Sequence, residues 1–333
     1  PNLLGEGFFA TATGTYSYGI ADMLNAIDWN VIMMIAGTMG TVYLFIESKM
    51  PQLMSDVLIS KMPNMQWTIF TLSLFAGVVS AFVDNVATVL MVAPVAMEIC
   101  KKLKTNPVPF IIGIAVSSNL QGAATLVGDT TAIMLGSALD MSFTDFFWYQ
   151  GKPGMFFAVE LGAVLSAIIV YIIFRKEKAP IPKSGQMTEV EDMVPTILLV
   201  GAIVLLILAS FLPFELPAET NGLICTALLI IGLVYNYATK KNLDAIMGPL
   251  KAIDLETLGL LVGLFLMIGG ISEMGVIDAL AQLLAKLGAG SPFLMYTIIV
   301  WASVLISAFI DNIPYVATMI PVIAGIAAQM GIE

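Results

Sequence analysis

An Asp-Asn pair occurs twice in this chain, each time inside a nearly identical apolar segment. Asp84 and Asn85 follow Ser80-Ala81-Phe82-Val83, and Asp311 and Asn312 follow Ser307-Ala308-Phe309-Ile310. A Pro-Val dipeptide comes at the same distance after each pair, and the two copies align without a gap. A carboxylate within sequence suited to lipid is costly and therefore indicates a functional site. Two such pairs in duplicated halves are typical of a transporter.

Each Asp permits two interpretations. At the turn of a helical hairpin, the returning arm begins with free backbone N–H groups and a positive dipole end, which favour an anion. A carboxylate at that turn supplies oxygen ligands for Na⁺ or accepts a proton. Alternatively, Asp84 and Asp311 are only the N-caps of the returning helices, because Asp is preferred there. Their duplication within apolar sequence favours a site.

A third polar group interrupts the apolar stretch Val108–Leu139. The runs Ser117–Gly122 and Gly128–Thr131 predict an unwound segment between two half-helices, which a membrane tolerates only beside protein or a watery cavity. Asp129 is then either the N-cap of a half-helix that begins at Thr130 or a carboxylate for a coupling ion.

Other residues of this stretch are candidate ligands. Gly122 and Gly128 suit an unwound backbone whose carbonyls coordinate a cation. Ser118, Asn119 and Thr125 could bind a ligand directly, although Ser and Thr equally often bond back to their own helix.

Composition indicates that the bilayer is the solvent. The 333 residues are 59% hydrophobic and 11% charged, against about 25% charged in soluble proteins. We therefore expect an all-α polytopic membrane protein without a nucleic-acid partner. Histidine is absent, which excludes His-ligated haem or zinc and His acid–base chemistry. No cofactor is expected beyond Na⁺ or H⁺ as a coupling ion.

Apolar runs long enough to span a membrane predict transmembrane helices. They are Ile27–Ser48, Gly154–Phe174, Val194–Leu212, Asn221–Tyr237 and Leu255–Ile271. Met65–Leu103 and Pro292–Met330 each predict a helical hairpin with an Asp-Asn pair at its turn. The apolar spacing of Val276–Leu287 predicts an amphipathic connecting helix.

Lys and Arg predict opposite orientations for the two halves. They cluster between Lys49 and Lys104, at 175–183 and at 240–251, and only Lys286 follows. Positive residues mark cytoplasmic loops, so the first hairpin enters from the cytoplasm and the second from outside. We expect inverted repeats at 1–174 and 194–333, joined by a cytoplasmic loop at 175–193. The second repeat lacks a counterpart of the interrupted helix at Val108–Leu139, here called the broken helix, which favours a fragment or unrecorded termini.

The chain resembles the ion transporter superfamily, which includes arsenite permeases, D-type sodium/proton antiporters, the P-protein and citrate permeases. The resemblance rests on Ser80–Asn85, Asn106–Pro109 and Ser118–Asp129. It implies two hairpins and two broken helices that meet at mid-membrane, elevator-type movement and a homodimer. It also implies a site formed by Asp84, Asn85, Ser118, Asn119, Gly122, Thr125, Asp311 and Asn312.

These observations predict a secondary transporter that moves a small anion across the cytoplasmic membrane, coupled to H⁺ or Na⁺. A Na⁺/H⁺ antiporter is the first alternative, because Gly128-Asp129-Thr130-Thr131 is nearer the antiporter pattern. The Ser-Asn-Thr signature of dicarboxylate permeases is absent, since Leu120 follows Asn119. An intramembrane aspartyl protease is a remote alternative, because its Gly-x-Gly-Asp motif would need glycine where Leu126 stands. We therefore expect no enzymatic activity.

Overall fold

Helices dominate the computed structural model, which describes residues 7–11, 14–180, 187–212, 216–287 and 291–331. The helices are α1 (Ile20–Ala26), α2 (Trp29–Glu47), α3 (Met50–Ser60), α4 (Met65–Ser80), α5 (Asn85–Leu103), α6 (Val108–Gly122), α7 (Thr130–Ala138), α8 (Met155–Ile173), α9 (Val194–Ser210), α10 (Thr220–Lys240), α11 (Asp244–Ala252), α12 (Leu255–Glu273), α13 (Val276–Leu287), α14 (Pro292–Ser307) and α15 (Asn312–Met330). Two antiparallel strand pairs are also present, β1 (Gly7–Thr11) with β2 (Gly14–Tyr18) and β3 (Trp148–Tyr149) with β4 (Lys152–Pro153). A 3-10 helix at Phe143–Phe146 completes the described elements.

The predicted all-α polytopic membrane fold is confirmed. Among the described residues, α2, α8, α10, α12 and α15 are each long and apolar enough to cross a membrane. The arms of both predicted hairpins are helices, and the amphipathic helix at 276–287 is present as α13. The short helices α3 and α11 were not predicted.

The predicted break in the Val108–Leu139 helix exists, but its predicted start was wrong. Ser117–Gly122 remains helical as the last turns of α6, and the unwound segment is 123–129. Ser118 and Gln121 are fully buried in this part of α6, so their polar atoms face protein instead of lipid. Polar side chains can hydrogen-bond across a helix interface in a membrane, so their presence does not require an unwound backbone.

Two compact units divide the chain, and they are described separately. The first comprises Pro1–Ile32 with Leu255–Glu333, and the second comprises Met33–Asp254. The second unit therefore holds the first hairpin, the broken helix and α8. The division into inverted repeats at 1–174 and 194–333 stays a prediction.

Local signals in the second unit define the first hairpin and the start of the broken helix. Asn64 caps α4 by accepting a hydrogen bond from Trp67 N. Lys104 ends α5 in the left-handed region, at φ 54°, and Thr105 N then bonds to Cys100 O at 3.0 Å. This geometry reverses the chain within a few residues and sends α6 back beside α4. The apolar core between these helices includes Leu72, Ala76, Val92 and Ile114.

The first unit contains the second hairpin, whose arms are α14 and α15. A small core of Ile277, Ala281, Met295, Val322 and Ile326 joins the amphipathic α13 to this hairpin. Gln329 Nε2 also bonds to Asp278 O at 3.5 Å.

Candidate binding site at the first hairpin tip

The turn between α4 and α5, residues 81–84, forms the tip of the first hairpin. Asp84 is the N-cap of α5, because its Oδ2 accepts hydrogen bonds from Val86 N at 3.0 Å and Ala87 N at 3.1 Å. An Asp cap typically stabilises a helix by about 1 kcal/mol. The cap interpretation is therefore correct as a description of geometry, and it leaves room for a further role of the same carboxylate.

The last turns of α6 lie against this tip. Ser118 Oγ, which is fully buried, donates to Asn85 O at 3.1 Å and bonds to Ser80 Oγ at 3.0 Å. Asn85 Nδ2 donates to Asn119 Oδ1 at 2.5 Å. The structure thus brings the predicted residues Asn85, Ser118 and Asn119 together.

The unwound segment passes directly over the same tip. The buried Thr125 hydroxyl donates to Ala81 O. A Cβ on Gly128 would lie 2.3 Å from Gly122 O, 2.7 Å from Ser80 O and 2.8 Å from Ala81 O, so only glycine fits without a shift of backbone. Gly128 therefore lets three carbonyl oxygens, from the ends of α4 and α6, gather around one point.

The second half-helix begins at this point as well. Asp129 occupies the N-cap position of α7, and its Oδ2 accepts a hydrogen bond from Thr131 Oγ1 at 3.0 Å. Thr130 is the first residue of the helix and is buried. Asp84 and Asp129 lie close enough for their negative charges to repel each other. Two neighbouring carboxylates favour a bound cation or proton between or beside them.

Two helix carboxyl ends and two helix amino ends meet around the tip. The carboxyl ends of α4 and α6 present backbone carbonyls, and the amino ends of α5 and α7 present N–H groups. Helix carboxyl ends attract cations and amino ends attract anions, so the arrangement can bind both signs of charge. No Lys or Arg occurs in 62–100 or 105–151, so the sequence around the tip supplies no cationic side chain.

The tip of the second hairpin has the same cap but different partners. Asp311 Oδ1 accepts from Ile313 N at 3.0 Å, as Asp84 does with its own helix. Ser307, the counterpart of Ser80, donates to Asn312 Oδ1 at 2.8 Å within the same hairpin. Asp311 and Asn312 are exposed. The expectation that both tips share one site stays a prediction, because Asp311 belongs to the other unit.

Sequence reasoning missed two residues of the first tip. Ser80 bonds to Ser118, and its repetition as Ser307 was a usable signal. Gln121 is 1% exposed, and a Cβ on Gly77 would lie 2.2 Å from Gln121 Nε2. Gly77 on α4 thus leaves room for the side-chain amide of Gln121 on α6, and no pattern in the sequence indicates that these two residues are in contact.

The fold defines a multi-pass membrane protein, and polar groups from α4, α5, α6 and the unwound segment meet at the tip of its first hairpin. A family model described as citrate transporter matches residues 8–333, so the chain belongs to the citrate transporter family. The predicted resemblance to citrate permeases is thereby confirmed.

Curated relatives agree with this membership. An uncharacterized transporter of Mycobacterium tuberculosis is 31% identical over 308 residues, which cover 92% of this chain and 70% of the relative. A second one from that organism is 28% identical over 306 residues, covering 91% of this chain and 70% of the relative. The P protein of Mus musculus is 23% identical over 374 residues, covering 90% of this chain and 45% of that protein.

Proposed function

We propose that this protein is a secondary active transporter that moves a small anion across the cytoplasmic membrane together with H⁺ or Na⁺. The single observation that carries the proposal is the junction of the Asp84-Asn85 tip with α6 and the unwound segment. An elevator-type movement of that junction as a rigid body, in a homodimer, is the mechanism that the family resemblance suggests.

The chemistry of the junction supports co-transport of opposite charges. Carbonyl oxygens of Ser80, Ala81 and Gly122 gather beside the Asp84 and Asp129 carboxylates. Hard cations prefer such oxygen ligands. The amino ends of α5 and α7 supply the N–H groups that an anion needs. Because no Lys or Arg is nearby in sequence, the coupling cation would provide the positive charge that offsets the anion.

Citrate is the first substrate to test, because the matching family is described as citrate transporter. The purified protein in vesicles should take up labelled citrate when an inward Na⁺ or H⁺ gradient is imposed. Arsenite, succinate and chloride serve as comparison substrates. A rate of citrate uptake that is the same with and without either gradient would contradict the coupling.

Asp84→Asn separates the cap from the coupling role. Asn is as good an N-cap as Asp, so this variant should fold and melt nearly as the wild type does. It removes the negative charge, and we expect it to abolish Na⁺- or H⁺-driven uptake. Asp140→Asn is the matched control, because Asp140 is an exposed carboxylate at the opposite end of α7. If Asp84→Asn still shows full uptake that depends on the ion gradient, Asp84 has no coupling role and serves only as a helix cap.

A Na⁺/H⁺ antiporter is the second candidate function. It is favoured by the pairing of two carboxylates, Asp84 and Asp129, without a cationic side chain in the adjacent sequence. Na⁺-driven proton movement in vesicles that contain no organic anion would support it over anion transport.

A further inference from the structure

Four cations belong to two chain segments that meet at the amino end of α4, the residues just before α4 and the segment that follows α8. Met65 N donates to Ala179 O at 2.9 Å, and Gln66 N donates to Glu177 O at 2.8 Å. Gln66 Nε2 also donates to Tyr171 O at 3.0 Å. These bonds hold residues 175–179 against the start of α4, which Lys61 shortly precedes. The basic patch consists of Lys61, Arg175, Lys176 and Lys178, all of them exposed.

Among the described residues, the cations of the basic patch differ from Lys49 and Lys240 in having no carboxylate partner. Lys49 pairs with Glu191 at 2.5 Å, and Lys240 pairs with Glu47 at 2.8 Å. Within the part of the chain that the structure describes, none of the four patch cations has such a carboxylate partner. Glu177 is the one acidic side chain among residues 175–179, so the patch keeps a net positive charge.

An aromatic cluster lies beside the patch. Trp67 and Tyr171 have ring centroids 5.2 Å apart, and Phe70 packs edge-on against both. Trp67 is 38% exposed and Tyr171 is 36% exposed. Trp and Tyr concentrate at the level of lipid headgroups, so this cluster marks the interface. Ile168 and Ile172 on α8 are exposed and supply an apolar surface toward the bilayer.

We propose that the basic patch and the aromatic cluster form a binding site for an anionic phospholipid of the cytoplasmic leaflet. The unpaired cations bind the phosphate headgroup, the rings lie at its glycerol level, and the exposed isoleucines contact an acyl chain. Juxtamembrane Lys and Arg attract anionic lipids, and basic pockets between helices bind their headgroups. The site is separate from the hairpin tip and does not depend on what the protein transports.

Fluorescence quenching of Trp67 tests this site. Trp29, Trp148 and Trp301 are replaced by Phe, so Trp67 is the one tryptophan left among these 333 residues. The full-length protein is placed in phosphatidylcholine vesicles that contain a minor fraction of brominated phosphatidylglycerol or brominated phosphatidylcholine. We expect phosphatidylglycerol to bind near Trp67 about tenfold more tightly, and the preference to fall with added salt.

The Arg175→Gln/Lys178→Gln variant should lose most of this tenfold preference, because each cation near the surface contributes a factor of about five. Lys101→Gln/Lys104→Gln removes the same charge from another exposed cytoplasmic cluster and should change the preference less than about twofold. Both variants alter exposed side chains, and unchanged Trp67 emission in phosphatidylcholine alone shows that they fold. Equal quenching by the two lipids, an equal loss in both variants, or removal of the preference by inorganic phosphate would overturn the proposal.

Discussion

Gly128→Ala is the sharpest test of the geometry at the hairpin tip. The added Cβ would lie within 2.8 Å of three carbonyl oxygens, those of Gly122, Ser80 and Ala81. All three belong to the backbone, so no side chain can rotate away and the unwound segment must move off the tip. Overpacking typically lowers the free energy of unfolding by about 1–3 kcal/mol, and a rigid contact belongs near the upper end of that range.

The expected loss can be measured by thermal unfolding of the purified protein. A loss of about 3 kcal/mol corresponds to an apparent melting temperature lower by about 4 °C, because the entropy of unfolding of 333 residues is about 0.7 kcal/mol/K. Gly162→Ala is the matched control, because its Cβ would meet Leu120 at an ordinary 3.6 Å. Alanine also favours the helix over glycine, so the control should melt at or above the wild-type temperature. A Gly128→Ala protein that melts with the wild type would refute the close approach of the segment to the tip.

Three further predictions concern a close glycine contact, an exposed ion pair and the membrane topology. Gly77→Ala should lower the melting temperature, because its Cβ would lie 2.2 Å from the Gln121 amide nitrogen. Adding Gln121→Ala removes that contact and should restore the melting temperature. A double variant that melts no higher than Gly77→Ala would contradict this prediction. The hydrogen bond from Lys49 and its charge lower the pKa of Glu191, so the stability that this pair adds is present near neutral pH and is lost as pH falls through the lowered pKa. Melting curves should therefore separate Glu191→Gln from the wild type slightly at pH 7 and not in acid, since the pair is exposed and screened. Single cysteines at positions 184 and 240 should be labelled from the cytoplasm and one at 216 from outside; labelling of 184 and 216 from the same side would contradict the topology.

The hairpins were predictable because several local signals agreed at the same residues. Asp84 and Asp311 are each followed by Asn near the middle of a long, mostly apolar segment, and Asp and Asn are both preferred at the N-cap of a helix. Because the segment is duplicated, the same signals predicted both hairpins. The helix α13 was predictable from its apolar periodicity alone.

The break and the short helices were harder to predict because they depend on tertiary contacts. Ser118 and Gln121 look like breakers in the sequence, yet each is buried against α4 and leaves α6 helical. The short helices α3 and α11 contain Pro and charged residues, so neither has an apolar run that would indicate a span. The resemblance placed Asn85, Ser118, Asn119 and Thr125 in one site, but no spacing rule could give the individual hydrogen bonds that they make.

The cap on α5 has a consequence for any anion that binds at the hairpin tip. The N–H groups of Val86 and Ala87 already hold the Asp84 carboxylate. An anion bound to the same donors must first displace that carboxylate, so Asp84 acts as a tethered competitor inside its own protein. Once displaced, the carboxylate is released to a neighbourhood rich in carbonyl oxygens and beside Asp129, where a cation or a proton would stabilise it. Competition for two backbone donors would thus make the arrival of the anion and of the cation mutually dependent, without any movement of the helices.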